Sequence, residues 1–175
     1  MSDYGKQIGP ATLAFDRRFD APIEKVWQFL VDPEKRKLWF CGGATGDAPG
    51  GEIVFDFDHR RLSESDPPEK YAGEEVVTHR GEILEYDPPR RFVFTWFESA
   101  GEQQSTVAID LAANADGTTQ LSLVHQGVVE RDIVLGVLAG WHGHFDLLAE
   151  VLVGPRETDF WVRDQELEAE YAKKI

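Results

Sequence analysis

The sequence of 175 residues has a single cysteine, no apolar run that approaches a membrane span, and no secretory leader pattern. One cysteine, Cys41, allows no internal disulfide and is typical of the reducing cytoplasm. A transmembrane helix needs roughly 20 apolar residues, so we expect no insertion into a membrane. The opening MSDYGKQIGP lacks the basic and apolar regions of a signal peptide. Together these features predict a cytoplasmic protein.

Positive charge is also scarce. Lys and Arg total 18 against 32 Asp and Glu, which gives a formal net charge of -14. A surface that binds phosphates needs clustered Lys and Arg, but the basic pairs here, such as Arg17-Arg18, stand beside acidic residues. We therefore expect no nucleic-acid partner, and we interpret the acidic surface as an aid to solubility.

The common catalytic and cofactor signatures are missing as well. The sequence has no phosphate-binding P-loop, no Gly-x-Gly-x-x-Gly after a strand, no His-Glu-x-x-His and no Gly-x-Ser-x-Gly. Cys41 has no activating base near it in the sequence, which disfavours a nucleophilic role. We accordingly predict no cofactor, no metal site and no assigned catalytic residue.

Hydrophobic periodicity indicates the order of the elements. Asp20 is a candidate N-cap for a first short helix, and Pro33 can open a second one through Leu38. A long apolar helix is predicted over 134–153, interrupted by glycines near its start, and the tail ends in the charged helix candidate DQELEAEYAKKI. Alternating or wholly apolar segments predict strands at 12–19, 53–57, 73–86, 91–97, 105–111 and 120–126.

This order predicts an α+β fold in which a curved antiparallel sheet of about six strands surrounds a long C-terminal helix, with two short helices after the first strand. Only one long helix is available to cover the apolar face of the sheet. The sheet must therefore curl around it and leave a cavity. We interpret 1–11 as an N-terminal extension, 12–153 as the domain, and 154–175 as a charged, helical tail.

Five segments, in this order and spacing, resemble the SRPBCC or START-like superfamily, and within it the branch of the activator of heat-shock-protein-90 ATPase. They are FDAPIEKVWQFLVDPEKRKLWF, PGGEIVFDF, GEILEYDPPRRFVFTW, DGTTQLSLVHQG and GWHGHFDLLAEVL. The resemblance covers roughly 12–153. It implies a helix-grip fold with a hydrophobic cavity between the sheet and the C-terminal helix. The superfamily includes lipid carriers, polyketide cyclases, hormone receptors and the co-chaperone domain, so the fold does not name a function.

Two histidines, His142 and His144, stand at the head of the long helix. On an ideal helix they point about 200° apart, so they cannot bind one metal ion, which needs a spacing of three or four residues. We predict that both lie at the borders of the buried face rather than inside it. Trp141 and Phe145 should face the sheet and close one end of the cavity.

Polar groups on the inward strand faces are the other candidates. His125 shares a face with Leu121 and Leu123, and the parity of His79 also points inward. Each is either a hydrogen-bonded core residue or a group that orients a ligand. Glu85 has inward parity if its strand is regular, and burial would then raise its pKa, although a strand end beside a turn is usually wet. With the inward aromatics, the predicted ligand site comprises Phe55, Phe57, His79, Phe94, Trp96, His125, Trp141 and Phe145.

Three functions remain open from the sequence. The favoured one is binding of a small apolar or aromatic molecule in the cavity. The alternatives are a co-chaperone-like interaction module, which requires an exposed apolar patch, and a cyclase or hydrolase in which His79, His125 or Glu85 moves protons. The charged tail also makes a homodimer plausible, because it can pack against a second copy.

Overall fold

The computed structural model describes residues 4–73, 76–97 and 104–175, and for Phe97 the backbone alone. Its centre is one curved, antiparallel sheet, which confirms the predicted α+β architecture. The strands are β1 Lys6–Gly9, β2 Thr12–Phe19, β3 Glu52–Phe57, β4 Val77–Asp87, β5 Arg91–Phe97, β6 Gln104–Ala113 and β7 Thr119–Gln126. They lie side by side in the order β1-β2-β7-β6-β5-β4-β3.

Four α-helices accompany the sheet: α1 Ile23–Val31, α2 Pro33–Arg36, α3 Arg131–Val153 and α4 Phe160–Tyr171. The predicted helix break at Asp32-Pro33 is confirmed, since the Asp32 side chain accepts a hydrogen bond from the Glu34 amide at 2.9 Å and so caps α2. The predicted cap at Asp20 is wrong, because Pro22 occupies the N-cap position of α1.

The described residues contain seven strands instead of about six. The additional strand, β1, comes from the segment that was interpreted as an N-terminal extension, and it pairs with β2. Four residues are too few for periodicity to reveal, which explains the omission. The third predicted strand, 73–86, corresponds to β4 and begins later than expected, at Val77; positions 74 and 75 lie outside the described residues.

The long helix α3 lies against the concave face of the sheet, as the helix-grip prediction required. Its glycines do not interrupt it, and it begins three residues earlier than the periodicity indicated. Leu138, Phe145 and Leu148 are fully buried against the sheet and α1. Because α3 fills the concave face of the sheet along this buried stripe, unfilled space can remain only beside the helix.

The C-terminal helix α4 packs on α3 of the same chain. Asp146 on α3 joins the two, because it accepts hydrogen bonds from Arg17 of β2 at 2.7 Å and from Arg163 of α4 at 2.8 Å. The predicted tail helix therefore exists and has an intramolecular partner. The homodimer stays a prediction.

The border positions predicted for His142 and His144 are wrong. Both side chains are buried, at 2% and 4% exposure, because α4 covers the face of α3 opposite the sheet. The His142 ring hydrogen-bonds with the Tyr171 hydroxyl at 3.0 Å, and the His144 ring stacks on Phe160 with the centroids 4.2 Å apart. The hydrophobic periodicity of α3 could not reveal this burial, because it does not show that α4 packs on the helix.

The inward parity of Glu85 is also wrong, because β4 is not regular. The register with β5 shifts between Ile83 and Glu85, so that one extra residue reverses the alternation. Glu85 is consequently exposed and forms an ion pair with Arg91 at 2.8 Å. Hydrogen bonding to Arg91 lowers the pKa of Glu85, the opposite of the shift expected for a buried carboxyl.

None of the helices in the described residues is long and apolar enough to cross a membrane.

Candidate functional site

A cavity of about 450 Å³ lies between the sheet, α3 and α4. The sheet contributes Phe57, His79, Trp96 and His125, and α3 contributes a strip from Asp132 to His144. The remaining wall comes from Phe40 in the loop after α2, from the segment after β3 and from α4. The full lining is Phe40, Phe57, His59, Lys70, Tyr71, His79, Trp96, His125, Asp132, Ile133, Gly136, Val137, Gly140, Trp141, His144, Phe160, Trp161 and Asp164.

One side of the cavity is a continuous aromatic surface. Phe40 stacks on Trp141 with ring centroids 5.1 Å apart, and Trp141 contacts Trp96 at 5.7 Å. Phe57 meets the edge of Trp96 at 5.8 Å. These rings come from the loop after α2, from α3, from β5 and from β3, so four separate elements fix the surface.

A second aromatic group of the lining is built around His59. Its ring stacks on Phe160 of α4 and on Phe57 of β3, with centroids 4.8 Å and 5.6 Å away, and makes a tilted contact with Trp161 of α4 at 4.6 Å. Trp161 stacks in turn on Tyr71 at 5.1 Å. His59 therefore connects the aromatic wall of the sheet with that of the tail.

His125 lies at the base of the cavity and is fully buried. The indole N–H of Trp141 donates to its Nδ1 at 3.2 Å, and Nε2 lies 2.9 Å from the Ser105 hydroxyl. That hydroxyl donates to the Trp96 carbonyl at 2.9 Å, so Nε2 must carry the ring proton. Burial lowers the pKa of His125 to about 3, in agreement with a neutral ring. With both nitrogens engaged, this side chain orients Trp141 and is poorly placed to accept a proton.

Two further histidines of the lining are also neutral. His144 is held by the Trp39 carbonyl at 2.7 Å, which places its proton on Nδ1. Burial, together with the neighbouring His59, lowers the pKa of His144 well below the ordinary range. Burial likewise lowers the pKa of His59 to about 4, although Asp58 opposes the shift. The described part of the chain holds no cluster of three or more His, Cys, Asp or Glu side chains suited to a metal ion.

The carboxyl group of Asp164 on α4 has no hydrogen-bond partner among the described residues. Its side chain is 4% exposed and lines the cavity, yet no hydrogen bond from any described residue reaches its carboxyl group. Burial raises the pKa of Asp164 to about 7; Glu168 contributes to this rise and Lys70 opposes it. Lys70 is itself hydrogen-bonded to Glu168. A buried carboxyl without a partner at the wall of a cavity is a binding-site feature.

Two glycines of α3, Gly136 and Gly140, open onto the cavity. They are four residues apart and therefore share one helix face. A Cβ atom at Gly140 would meet no atom within 4 Å, and one at Gly136 would reach only Glu168 at 4.0 Å. Gly143 differs, because a Cβ there would meet Phe160 at 3.3 Å. The first two glycines therefore create space, whereas the third allows α4 to approach.

A second depression of about 460 Å³ lies beside Cys41 and is lined mainly by charged and glycine residues. Burial raises the pKa of the Cys41 thiol to about 12, in keeping with the inert role expected for it. The aromatic cavity is therefore the candidate site.

The structure brings together five of the eight predicted site residues: Phe57, His79, Trp96, His125 and Trp141. Phe55, Phe94 and Phe145 belong to the packed core beneath the cavity. Phe145, expected to close one end of it, stacks instead between Trp141 and Trp39, with centroids 5.6 Å and 6.2 Å away.

Sequence reasoning missed the wall that the tail contributes. Phe160, Trp161 and Asp164 lie in a segment that was assigned to a charged tail, and His59 lies in a polar loop. The signal that could have revealed this wall is the pair Phe160-Trp161, because adjacent aromatics in a charged segment indicate a buried contact.

The family model described as activator of Hsp90 ATPase homolog 1-like protein, AHSA1, matches residues 20–153. The chain belongs to the AHSA1 family. This confirms the resemblance found in the sequence and agrees with the helix-grip fold. No match was found among curated proteins.

Solved structures similar to this AHSA1 chain come from several bacteria. The protein encoded by gene BPP1335 of Bordetella parapertussis is 31% identical, with a TM-score of 0.82 over 99% of this chain and 91% of that one. CalU16 from Micromonospora echinospora is 23% identical, with a TM-score of 0.69 over 97% and 93% of the two chains. A conserved protein of unknown function from Enterococcus faecalis, EF2215, is 17% identical, with a TM-score of 0.68 over 98% and 89%. The last two support the fold alone.

The AHSA1 segment ends at the last residue of α3. Strands β3 to β7, the gripping helix and the two spacer glycines lie inside it, whereas β1 and β2 precede it and Phe160, Trp161 and Asp164 follow it. The cavity of this chain is therefore made jointly by the family domain and by the helix that comes after it.

Proposed function

We propose that the protein binds a small, flat aromatic molecule in the cavity between the sheet, α3 and α4. The observation that carries the proposal is the cavity of about 450 Å³, which is lined by aromatic rings from the sheet, α3, α4 and the loops between them. Ligand pockets have volumes of about 300–1,000 Å³ and are mostly apolar with a few polar groups, which is the composition of this one. Stacked rings fixed by four elements form a preorganised surface for another ring.

The spacer glycines support the same proposal. Glycine in a helix interior is about 1 kcal/mol less favourable than alanine. At Gly140, alanine would fit without touching anything. Packing of the fold thus does not require glycine at this position. A ligand in the cavity would require it, because the ligand would occupy the space of the missing side chain.

The proton-transfer alternative receives less support from the geometry. Of its three residues, Glu85 is exposed, because the β4 bulge turns it away from the inward face, and it forms an ion pair with Arg91. His125 is neutral and engaged at both nitrogens. Only His79 keeps the position that the alternative required, and one residue does not make an acid–base pair.

The interaction-module alternative predicted an exposed apolar patch. In the part of the chain that the structure describes, the exposed large apolar side chains are distributed over separate elements. They are Ile8, Leu38, Val76, Leu84, Val129, Val153, Val162 and Ile175. Isolated exposed apolar residues are normal on protein surfaces, so they do not favour a docking face.

The proposal is tested by blocking the cavity. A neutral two-ring probe, 2-(1-naphthyl)ethanol, should stabilise the parent protein in a thermal-shift assay and give saturable binding by calorimetry. At a probe concentration 100 times Kd, we expect about 2.7 kcal/mol of stabilisation. Gly140→Leu, which places a side chain into the open space, should fold normally and lose the binding.

Val162→Leu is the matched control, because it enlarges an exposed side chain on the outer face of α4. It should bind like the parent. Native mass spectrometry of freshly purified protein provides a second readout, since a ligand that co-purifies with the parent should be absent from Gly140→Leu. The proposal fails if the parent binds neither the probe nor any co-purifying molecule, or if Gly140→Leu binds as well as the parent.

A further inference from the structure

We infer that the ligand carries a protonated amine, and that the Asp164 carboxylate binds this cation at the α4 end of the cavity. The inference rests on the proposed function and specifies the class of ligand. Asp164 lines the cavity, its side chain is 4% exposed, and no described residue donates a hydrogen bond to it. A buried carboxylate gains most from a donor that also carries a positive charge.

The surroundings of Asp164 are suited to an ammonium group. Lys70 places its own ammonium over the ring of Tyr71, with Nζ 4.8 Å from the centroid, and hydrogen-bonds to Glu168. The chain thus already holds one cation against an aromatic face at this end of the cavity. Because Lys70 is committed to Glu168, it leaves Asp164 without a donor. Trp161 stacks on Tyr71, so aromatic rings, whose quadrupoles attract cations, line this end of the cavity.

The charge of the lining also disfavours an anionic ligand. His59, His125 and His144 are neutral at physiological pH, as their buried positions and hydrogen bonds require. The acidic side chains of the lining are Asp132 and Asp164, and its one ammonium, that of Lys70, is already neutralised by Glu168. A ligand carboxylate or phosphate would therefore enter a site with negative charge in excess.

Binding of an amine should depend on pH, because only the ionised carboxylate forms the ion pair. Burial and Glu168 raise the pKa of Asp164 to about 7, so the carboxyl is largely protonated at pH 6 and largely ionised at pH 8. The charged and titratable groups that interact with it are Lys70 and Tyr71 from the segment before β4 and Glu168 from α4. The other such groups of the cavity lining are His59, His79, His125, Asp132 and His144.

The experiment compares three probes with the same ring system by calorimetry at pH 6, 7 and 8. They are 2-(1-naphthyl)ethylamine, 2-(1-naphthyl)ethanol and 1-naphthylacetate, which are cationic, neutral and anionic over this range. The affinity of the amine should rise about tenfold from pH 6 to pH 8, following the ionised fraction of Asp164. The affinity of the alcohol should change little, and the acetate should bind most weakly at pH 8.

Asp164→Asn should bring the amine down to the affinity of the alcohol and abolish its pH dependence, while the alcohol still binds. Glu166→Gln, which removes an exposed carboxylate from the same helix, should leave both properties unchanged. Three results would overturn the inference and leave the proposed function standing. They are equal binding of the amine and the alcohol at pH 8, tighter binding of the acetate than of the amine, and a pH dependence that Asp164→Asn retains. Loss of binding for all three probes in the parent would instead overturn the proposed function and the inference with it.

Discussion

Replacing Asp164 by asparagine should change how the stability of the ligand-free protein depends on pH. In the folded protein, burial first and Glu168 second raise the pKa of this carboxyl from 3.8 to about 7. Between these two values the folded state holds a proton that the unfolded chain has released. Rising pH therefore favours unfolding, and the stability associated with Asp164 is present below about pH 4 and lost as pH rises towards 7.

The size of the effect follows from the same two values. A shift of one unit corresponds to about 1.36 kcal/mol, so the shift of about three units removes roughly 4 kcal/mol once Asp164 is fully ionised. Most of this loss falls between pH 5 and pH 8, where the parent should lose about 2–3 kcal/mol that the asparagine variant keeps. The comparison with the variant matters, because other carboxyls, such as Asp159 with its lowered pKa of about 2, titrate in the opposite direction.

The assay is urea denaturation of the parent and of Asp164→Asn at several pH values from 5 to 8, with the free energy of unfolding extrapolated to water. The difference between the two proteins should grow with pH in favour of the variant. Glu166→Gln should differ from the parent by a constant amount. A difference between Asp164→Asn and the parent that does not change with pH would show that Asp164 is ionised throughout and would refute the reasoning.

Three further substitutions test the fold and the cavity, each by urea or thermal denaturation. Asp146→Asn should cost about 3 kcal/mol, because it leaves the buried Arg17 guanidinium without its carboxylate. Gly81→Ala should cost about 1–3 kcal/mol, since its Cβ would lie 2.3 Å from the Thr95 carbonyl oxygen in the neighbouring strand. Gly140→Ala should stabilise the protein by about 1 kcal/mol and raise Tm by about 2–4 °C, because no atom opposes the added methyl group. A destabilised Gly140→Ala protein would mean that the space beside α3 is filled.

The sequence was sufficient to predict the buried face of those elements whose hydrophobic pattern extends over many residues. Strand β7 alternates over eight residues, and the burial of His125 followed from parity with Leu121 and Leu123. Helix α3 showed an apolar face over several turns. These patterns record which side of an element meets the core, and they were enough to predict the packing of the long helix against the curved sheet.

The features that escaped prediction depend on contacts between distant segments. The bulge in β4 reverses the parity at Glu85 without any glycine or proline to mark it. The burial of His142 and His144 depends on α4, whose own sequence looks like a solvated tail. Asp164 lacks a partner because Lys70 is paired with Glu168. Lys70 lies in a loop and Glu168 in a helix, far apart in the sequence. A pattern within one segment cannot encode such a three-way arrangement.

The absence of side chains at Gly136 and Gly140 has a consequence for how the protein evolves. Most substitutions destabilise a protein, and those that stabilise it at no cost are readily accepted when stability alone is selected. Alanine at either position is one mutational step from glycine in the genetic code, fits the helix and meets nearly empty space. A lineage that only had to keep this domain folded would drift towards alanine there. If the cavity binds a ligand as proposed, we therefore expect relatives that share this function to keep both glycines, whereas relatives that do not share it should be free to fill them.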